Sequence, residues 1–89
     1  MDTADFEAKL KQDGYHEIAT RSMEHRPANG DHVHEFSVRG LVTSGEFIVT
    51  CGGDARSYGP GDVFEVAAGE MHNEAIGPEG ATIVAGRLY

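Results

Sequence analysis

Short segments rich in glycine, proline and aspartate interrupt the chain at close intervals from residue 27 onward. The strongest turn signal is Gly59-Pro60-Gly61-Asp62, because proline presets its own φ and glycine tolerates positive φ. The stretches between these segments are β-rich, and no helical pattern separates them. Roughly eight strands at this spacing predict an all-β fold, a small antiparallel β-barrel or double-sheet jelly roll.

The predicted strands follow from these turns. One or two strands are expected between Tyr15 and Arg26, and the others at Phe36–Val42, Glu46–Thr50, Ala55–Tyr58, Val63–Val66, Met71–Ile76 and Ala81–Leu88. Their connections are Pro27–Asp31, Thr43–Gly45, Cys51–Asp54, Gly59–Asp62, Ala67–Glu70 and Gly77–Gly80. This arrangement places one β-barrel domain at residues 15–89.

A short N-terminal helical segment is predicted at residues 1–14. Phe6 and Leu10 lie four residues apart and therefore share one helix face, and Asp13-Gly14 is a natural helix end. A helix this short is marginal alone, so we expect this face to pack on the barrel.

Length and composition limit the possible partners. The chain has 89 residues, which is enough for one domain with one core. It has 15 Asp and Glu against 7 Lys and Arg, a net charge of −8 that argues against nucleic acid and anionic membranes as partners. Cys51 is the only cysteine, and Met1–Asp5 does not resemble the start of a signal peptide, so a cytoplasmic location is expected.

Three histidines carry the strongest chemical signal. His32 and His34 are one residue apart, so on an extended strand they face the same side. His72 follows the Ala67–Glu70 turn, which can direct a new strand back toward the first pair. Three neutral imidazoles are good ligands for Fe, Mn, Ni, Zn or Cu, and they leave coordination positions open for water and substrate.

The histidines and two turns resemble the motifs of the cupin superfamily, and of its small single-domain members in particular. The first family motif contains a glycine, His-x-His, a glutamate and a closing glycine, and here His32, His34 and Gly45 match it. The second contains a glycine, Pro-x-Gly and a histidine, and Gly61, Ala67, Gly69 and His72 have its spacing. The resemblance covers about residues 26–88 and implies a cupin barrel around the three histidines.

Two departures from the family pattern matter for the chemistry. Val38 stands at the position of the family's glutamate ligand, and Ala67 stands at its proline position. A valine cannot bind a metal, so the resemblance implies a shell of three histidines alone, as in some thiol and diketone dioxygenases of the superfamily. A metal without a carboxylate ligand keeps its full charge and should attract anionic or enolisable substrates. The alternative is a degenerate cupin whose histidines are hydrogen-bonded pocket groups without metal.

Glu74 is the candidate catalytic residue. It lies two residues after His72, so on a regular strand it faces the same side. It could be a replacement ligand, a general base beside an open coordination position, or an ordinary exposed glutamate. Phe36 is expected to share the face of the histidines. Arg39 and Arg56 are candidate anion contacts only if the substrate carries a carboxylate.

Three functions remain open at the level of sequence. The first is a metal-dependent enzyme acting on a small molecule, such as a dioxygenase or an isomerase-like enzyme. The second is a non-catalytic module that binds a metal or a small ligand. The third is a structural or assembly role. A barrel of this size has exposed edge strands, so we expect a homodimer.

Overall fold

A computed structural model of the chain describes residues 2–89. Met1, the first residue of the predicted helical segment, lies outside the described residues. One helix precedes five strands: α1 Thr3–Gln12, β1 His16–Met23, β2 Ser37–Cys51, β3 Asp54–Tyr58, β4 Val63–Val66 and β5 His72–Leu88. All strand pairs are antiparallel, which confirms the predicted all-β class with a short N-terminal helix. No helix in residues 2–89 is long and apolar enough to cross a membrane.

Helix α1 is capped at its start and buries one face. The Asp2 carboxylate accepts a hydrogen bond from the Ala4 amide at 3.0 Å and so satisfies one free donor of the first turn. Gly14, with φ +88°, directs the chain out of the helix. Phe6 and Leu10 are buried and pack with Leu41 and other residues of the sheet. The helix therefore covers one apolar face of the sheet.

Strands β2 and β5 form the centre of the sheet, whose order is β1-β5-β2-β3, with β4 also paired to β2. The first part of β2 pairs with β4 at Val38–Leu41, and its last part pairs with β3 at Phe47–Cys51. Strand β5 runs along both parts of β2. Because the two parts of β2 have different neighbours, the sheet curves around a shared interior.

The prediction of two strands separated by a turn at Thr43–Gly45 is wrong, because β2 is continuous through this segment. The register with β5 shifts here without a reversal of the chain. Gly45 has φ +77°, and a Cβ at this position would lie 1.9 Å from the Gly80 carbonyl oxygen. The glycine therefore permits a β-bulge in which two main-chain segments lie in close contact. Glycine marks such a bulge in the sequence in the same way as it marks a turn.

The turn predicted at Gly77–Gly80 is also wrong, because β5 continues from His72 to Leu88. Ile76 pairs with Phe47 and Ala81 pairs with Gly45, so β5 has more residues than β2 between these two pairs and bulges outward. The two long bent strands explain why five strands form where about eight were expected.

The main core lies inside the curved sheet and extends to the histidine end. Phe47 and Phe64 contact each other with ring centroids 4.8 Å apart, and Val42, Val49, Val66, Ile76 and Ile83 pack around them. Gly40 lies directly under the Phe64 ring, because a Cβ there would be 2.3 Å from its Cζ. The Phe47 and Phe64 rings also line a cavity beside the histidines.

Candidate metal centre

The segment that carries His32 and His34 is held against the start of β5. His32 and His72 form an isolated β-bridge, with N to O distances of 2.9 and 3.0 Å in the two directions. Asn29 donates its amide to the Glu74 carbonyl at 3.1 Å, and the Gly69 amide donates to the His34 carbonyl at 2.9 Å. The segment is extended without being a full strand, which differs from the expectation. The main chain nevertheless brings both histidines to His72.

The three histidine side chains converge. The ring centroids lie 5.0 Å apart for His32 and His34, 4.4 Å for His32 and His72, and 5.2 Å for His34 and His72. One nitrogen from each ring lies within 4.8 Å of the other two. With nitrogen-to-metal distances of about 2.1 Å, small rotations of the rings would bring all three nitrogens onto one ion. The cluster could therefore hold a metal.

Two of the rings have their tautomer fixed by main-chain carbonyls. His32 Nδ1 lies 2.9 Å from the Gly30 carbonyl oxygen, and His72 Nδ1 lies 3.0 Å from the Glu70 carbonyl oxygen. A carbonyl oxygen can only accept, so each Nδ1 carries the hydrogen and donates it. In the neutral ring the lone pair is then on Nε2, the arrangement that protein metal ligands use.

His72 carries the feature that best fits a metal. Its side chain is 1% exposed, and its Nε2 is buried without a hydrogen-bond partner in the described part of the chain. The nearest acidic group is Glu74 Oε2 at 3.5 Å, which is too far for a good hydrogen bond. A buried acceptor without a partner costs free energy, and a cation at this position would remove that cost.

The electrostatics of His34 favour its neutral form. Burial lowers the pKa of the His34 imidazole, and the nearby His32 and His72 lower it further. Glu74 acts in the opposite direction and Arg87 in the same one. Only a neutral imidazole has a lone pair free for a metal, so these surroundings keep the ring ready to bind near neutral pH.

Glu74 lies on the side of the histidines, as its spacing predicts. Its carboxylate is beside His72 and partly exposed, and it does not belong to the cluster of three nitrogens. The Asn29 side chain accepts a hydrogen bond from the Glu74 amide at 2.9 Å and fixes the main chain there. Val38, which replaces the family's glutamate, pairs with Val66 and Arg87 and contributes an apolar wall.

A cavity of about 250 Å³ opens beside the cluster. His34, Phe36 and Glu74 line it at the histidine end, and Phe47 and Phe64 form its floor. Phe36 thus lies on the expected face.

Two arginines in this cavity, Arg21 and Arg87, were not singled out from the sequence. Arg39 and Arg56, the candidate anion contacts predicted from the sequence, do not line this cavity. Arg39 binds Asp13 at 2.6 Å and Glu65 at 2.7 Å, and Arg56 lies beside Asp54. Arg21 lies on edge strand β1 and Arg87 near the end of β5. A single arginine in a strand is a weak signal unless the inward face of that strand is known.

A family model described as the AraC-like ligand binding domain matches residues 14–82. The chain belongs to this family. Solved cupin structures are similar to the chain, and this AraC-like domain is a cupin-type domain, as its motifs indicate. A search of curated proteins found no match.

Three solved structures illustrate the similarity of this domain to other cupins. KdgF from a Halomonas species is 26% identical, with a TM-score of 0.62, over 79% of this chain and 66% of that protein. An RmlC-like cupin from Shewanella frigidimarina is 22% identical, with a TM-score of 0.65, over 81% and 65%. A predicted oxalate decarboxylase from Thermotoga maritima is 18% identical, with a TM-score of 0.69, over 90% and 71%. The match thus covers about two thirds of the length of the first two.

Proposed function

We propose that this cupin binds one divalent transition metal through His32, His34 and His72 and presents it to a small molecule in the adjacent cavity. The observation that carries the proposal is the buried Nε2 of His72, which has no partner among residues 2–89 and points to the other two rings. Fe, Mn, Ni, Zn and Cu all suit a set of three imidazole ligands. A bound ion would supply Lewis acidity and open positions for the ligand.

Different residues would hold the imidazoles and accept a proton at this site. The Gly30 and Glu70 carbonyls hold two of the imidazoles with Nε2 directed to the cluster. Glu74 lies 3.5 Å from His72 and lines the cavity, so it would accept a proton from a ligand or a water held there. We assign Glu74 as a general base rather than a fourth ligand, because its carboxylate lies beside the cluster rather than within it.

The ligand that best suits the cavity is a small organic anion. Arg21 and Arg87 line the cavity together with Glu17 and Glu74. Arg87 is 3.7 Å from Glu17, whereas Arg21 has no ion pair within the described residues. Arg21 and the metal together would attract a carboxylate or an enolate. A volume of about 250 Å³ lies just below the range of about 300–1,000 Å³ for pockets of drug-sized ligands, so the ligand is a small molecule.

Two activities are compatible with such a site. An oxygenase or isomerase-like reaction is supported by Glu74, because a base beside an open metal position is a catalytic arrangement. A binding module without turnover is supported by the family, which is described by ligand binding.

Elemental analysis of protein purified without a histidine tag tests the metal site. We expect close to one transition-metal ion per chain after loading and dialysis, and almost none for the double variant His32→Ala/His34→Ala. The matched control is His16→Ala/His25→Ala, which removes two exposed histidines outside the cluster and should keep the metal. Wild-type protein that holds no stoichiometric metal would refute the proposal.

Turnover separates the enzyme from the binding module. Metal-loaded protein would be tested for oxygen uptake and product formation on a panel of small thiols, diketones and hydroxy acids. The variant Glu74→Gln should keep the metal and lose most of the turnover if Glu74 is the base. Unchanged turnover in Glu74→Gln would show that Glu74 has no catalytic role. Turnover that is lost in His72→Ala and kept in Glu74→Gln would show that the metal acts without Glu74 as a base.

A further inference from the structure

His34 is oriented differently from the other two histidines. The Nδ1 atoms of His32 and His72 are held by carbonyl oxygens, whereas the His34 ring has no hydrogen bond within residues 2–89. The terminal side-chain torsion of a histidine is broad, so a ring without a partner samples a wide range of orientations. A ligand nitrogen held this loosely would bind a metal weakly, because ordering it opposes binding.

An aromatic stack takes the place of the missing hydrogen bond. The Phe36 ring lies nearly parallel to the His34 ring, with an angle of 18° and 4.8 Å between centroids. It lies two residues further along the chain and lines the same cavity. Stacking of this kind stabilises a pair of rings beyond the apolar area that it buries. It also restricts the ring plane, which a simple apolar contact would not do.

Phe36 is itself held in place from β5 and β1. The Arg87 guanidinium lies 4.4 Å from the centre of the Phe36 ring, a cation–π contact. Arg87 is oriented in turn by Glu17, whose carboxylate lies 3.7 Å from its Nη1. Glu17 has φ +52°, the only positive φ of a non-glycine residue in the described chain. Such a conformation is unfavourable and persists where surrounding contacts impose it, often at functional sites.

We infer that Phe36, clamped by Arg87, is the positioning residue that fixes the His34 ring for metal binding. Glu17 contacts Arg87, Arg87 contacts Phe36, and Phe36 stacks on His34. The His34 ring is thus oriented by stacking and not by a hydrogen bond to a carbonyl. This inference rests on the proposed metal site. It adds the prediction that the two residues control the affinity of a metal that neither of them touches.

Metal affinity tests the inference with Zn²⁺ as the probe. Zn²⁺ affinity would be measured by competition with a chromophoric chelator for wild type, Phe36→Leu and Phe36→Tyr. We expect Phe36→Leu to bind Zn²⁺ at least tenfold more weakly, the range seen when residues that orient metal ligands are removed. Phe36→Tyr keeps an aromatic ring and should restore affinity close to wild type. The control is Phe6→Leu, which removes a ring from the contact between helix α1 and the sheet, outside the cavity, and should keep wild-type affinity.

The second variant, Arg87→Gln, tests the same role at a position where misfolding is not expected. Arg87→Gln changes a side chain that is 37% exposed, so it should fold normally. We expect it to increase the mobility of the His34 ring less than Phe36→Leu does and to change the spectrum of the Cu²⁺-loaded protein by electron paramagnetic resonance. Unchanged affinity in Phe36→Leu and an unchanged Cu²⁺ spectrum in both Phe36→Leu and Arg87→Gln would overturn the inference.

Nuclear magnetic resonance of the metal-free protein separates this inference from the proposed function. Histidine ring carbons labelled with ¹³C report the mobility of His34 directly. We expect greater ring mobility for His34 in Phe36→Leu, with His72 unchanged as the internal control. If wild-type protein binds no Zn²⁺, the metal site fails while the positioning contact still stands. If Zn²⁺ binds and His34 mobility is the same in all variants, the positioning role fails alone.

Discussion

His72 illustrates how one buried polar residue can lower the stability of the metal-free fold. Its ring is buried and its Nε2 lacks a partner in the described chain, a defect that costs about 1–3 kcal/mol. Its other nitrogen hydrogen-bonds the carbonyl of Glu70, an exposed residue. An apolar side chain of similar size would remove the unpaired nitrogen, and the Glu70 carbonyl would lose this hydrogen bond.

The variant His72→Leu should not lose stability in the metal-free protein. In urea unfolding with a chelator present, we expect its free energy of unfolding to equal or exceed that of wild type by about 1 kcal/mol. His32→Leu is the control, because His32 is only half-buried and no such gain is expected. With Zn²⁺ in excess the order should reverse, since only wild type gains stability by binding. A clear loss of stability in metal-free His72→Leu would contradict this account.

At the scale of residues, the sequence predicts which side chains meet and says little about how they are oriented. His32, His34 and His72 follow from motif spacing, and Glu74 follows from the period of a strand. The carbonyl partners of His32 and His72 depend on main-chain torsions at Gly30 and Glu70 that the residue types do not specify. The stack of Phe36 on His34 depends on side-chain torsions, and the Phe36 ring also contacts Arg87, which is far from it in sequence.

At the scale of elements, Gly45 shows why two predicted strands form the single strand β2. Its positive φ and its contact with the Gly80 carbonyl oxygen create a bulge within β2. A bulge and a hairpin turn use the same residue types, because both need a positive φ. The difference lies in the partner strand, since β5 continues to pair on both sides of the bulge. That pairing is a long-range property, which local sequence does not encode.

Replacing this glycine tests the assignment of the bulge. Gly45→Ala would place a methyl group 1.9 Å from the Gly80 oxygen in a strained conformation, so we expect a loss of about 3 kcal/mol or more. Gly53→Ala is the matched control, because Gly53 also has positive φ, +82°, and has open space around it. It should lose only about 1 kcal/mol. Equal losses for the two variants in chemical denaturation would argue against the close contact.

The docking of helix α1 should depend on pH. Asp13, at the helix end, accepts a hydrogen bond from Arg39 on β2 at 2.6 Å. This bond lowers the pKa of the Asp13 carboxyl below its ordinary value of 3.8, and Lys9 adds to the effect. The charged form is thus favoured in the folded state. Its stabilisation is present above pH 3.8 and is lost as the pH falls through the lower folded-state pKa.

The variant Asp13→Asn isolates this contribution. We expect its stability to be lower than that of wild type at pH 6 and to approach it as the pH falls toward about 3. Asp5→Asn is the control, because Asp5 is exposed in the first turn of the helix and the structure gives it no ion pair within the described residues. Thermal unfolding across this range measures the difference. A stability gap for Asp13→Asn that stays constant with pH would exclude the ion pair as its cause.

At the scale of the whole molecule, the sheet leaves strand edges uncovered. β1 and β3 end the strand order, and the side chains of β3 are almost all exposed. Free edges can pair with another chain, and a chain of 89 residues gains core by doing so. The homodimer expected from the sequence therefore stays a prediction, with β1 and β3 as its candidate contacts.

Charge should oppose this association and make it depend on salt. Each copy carries a net charge of −8, so two copies repel each other. The screening length falls from about 10 Å at 0.1 M salt to about 3 Å at 1 M. We therefore expect sedimentation velocity to detect a homodimer at micromolar concentration whose dissociation constant falls as salt is raised. A dimer that weakens with salt would indicate a contact made by ion pairs, and a monomer at both salt concentrations would refute the homodimer.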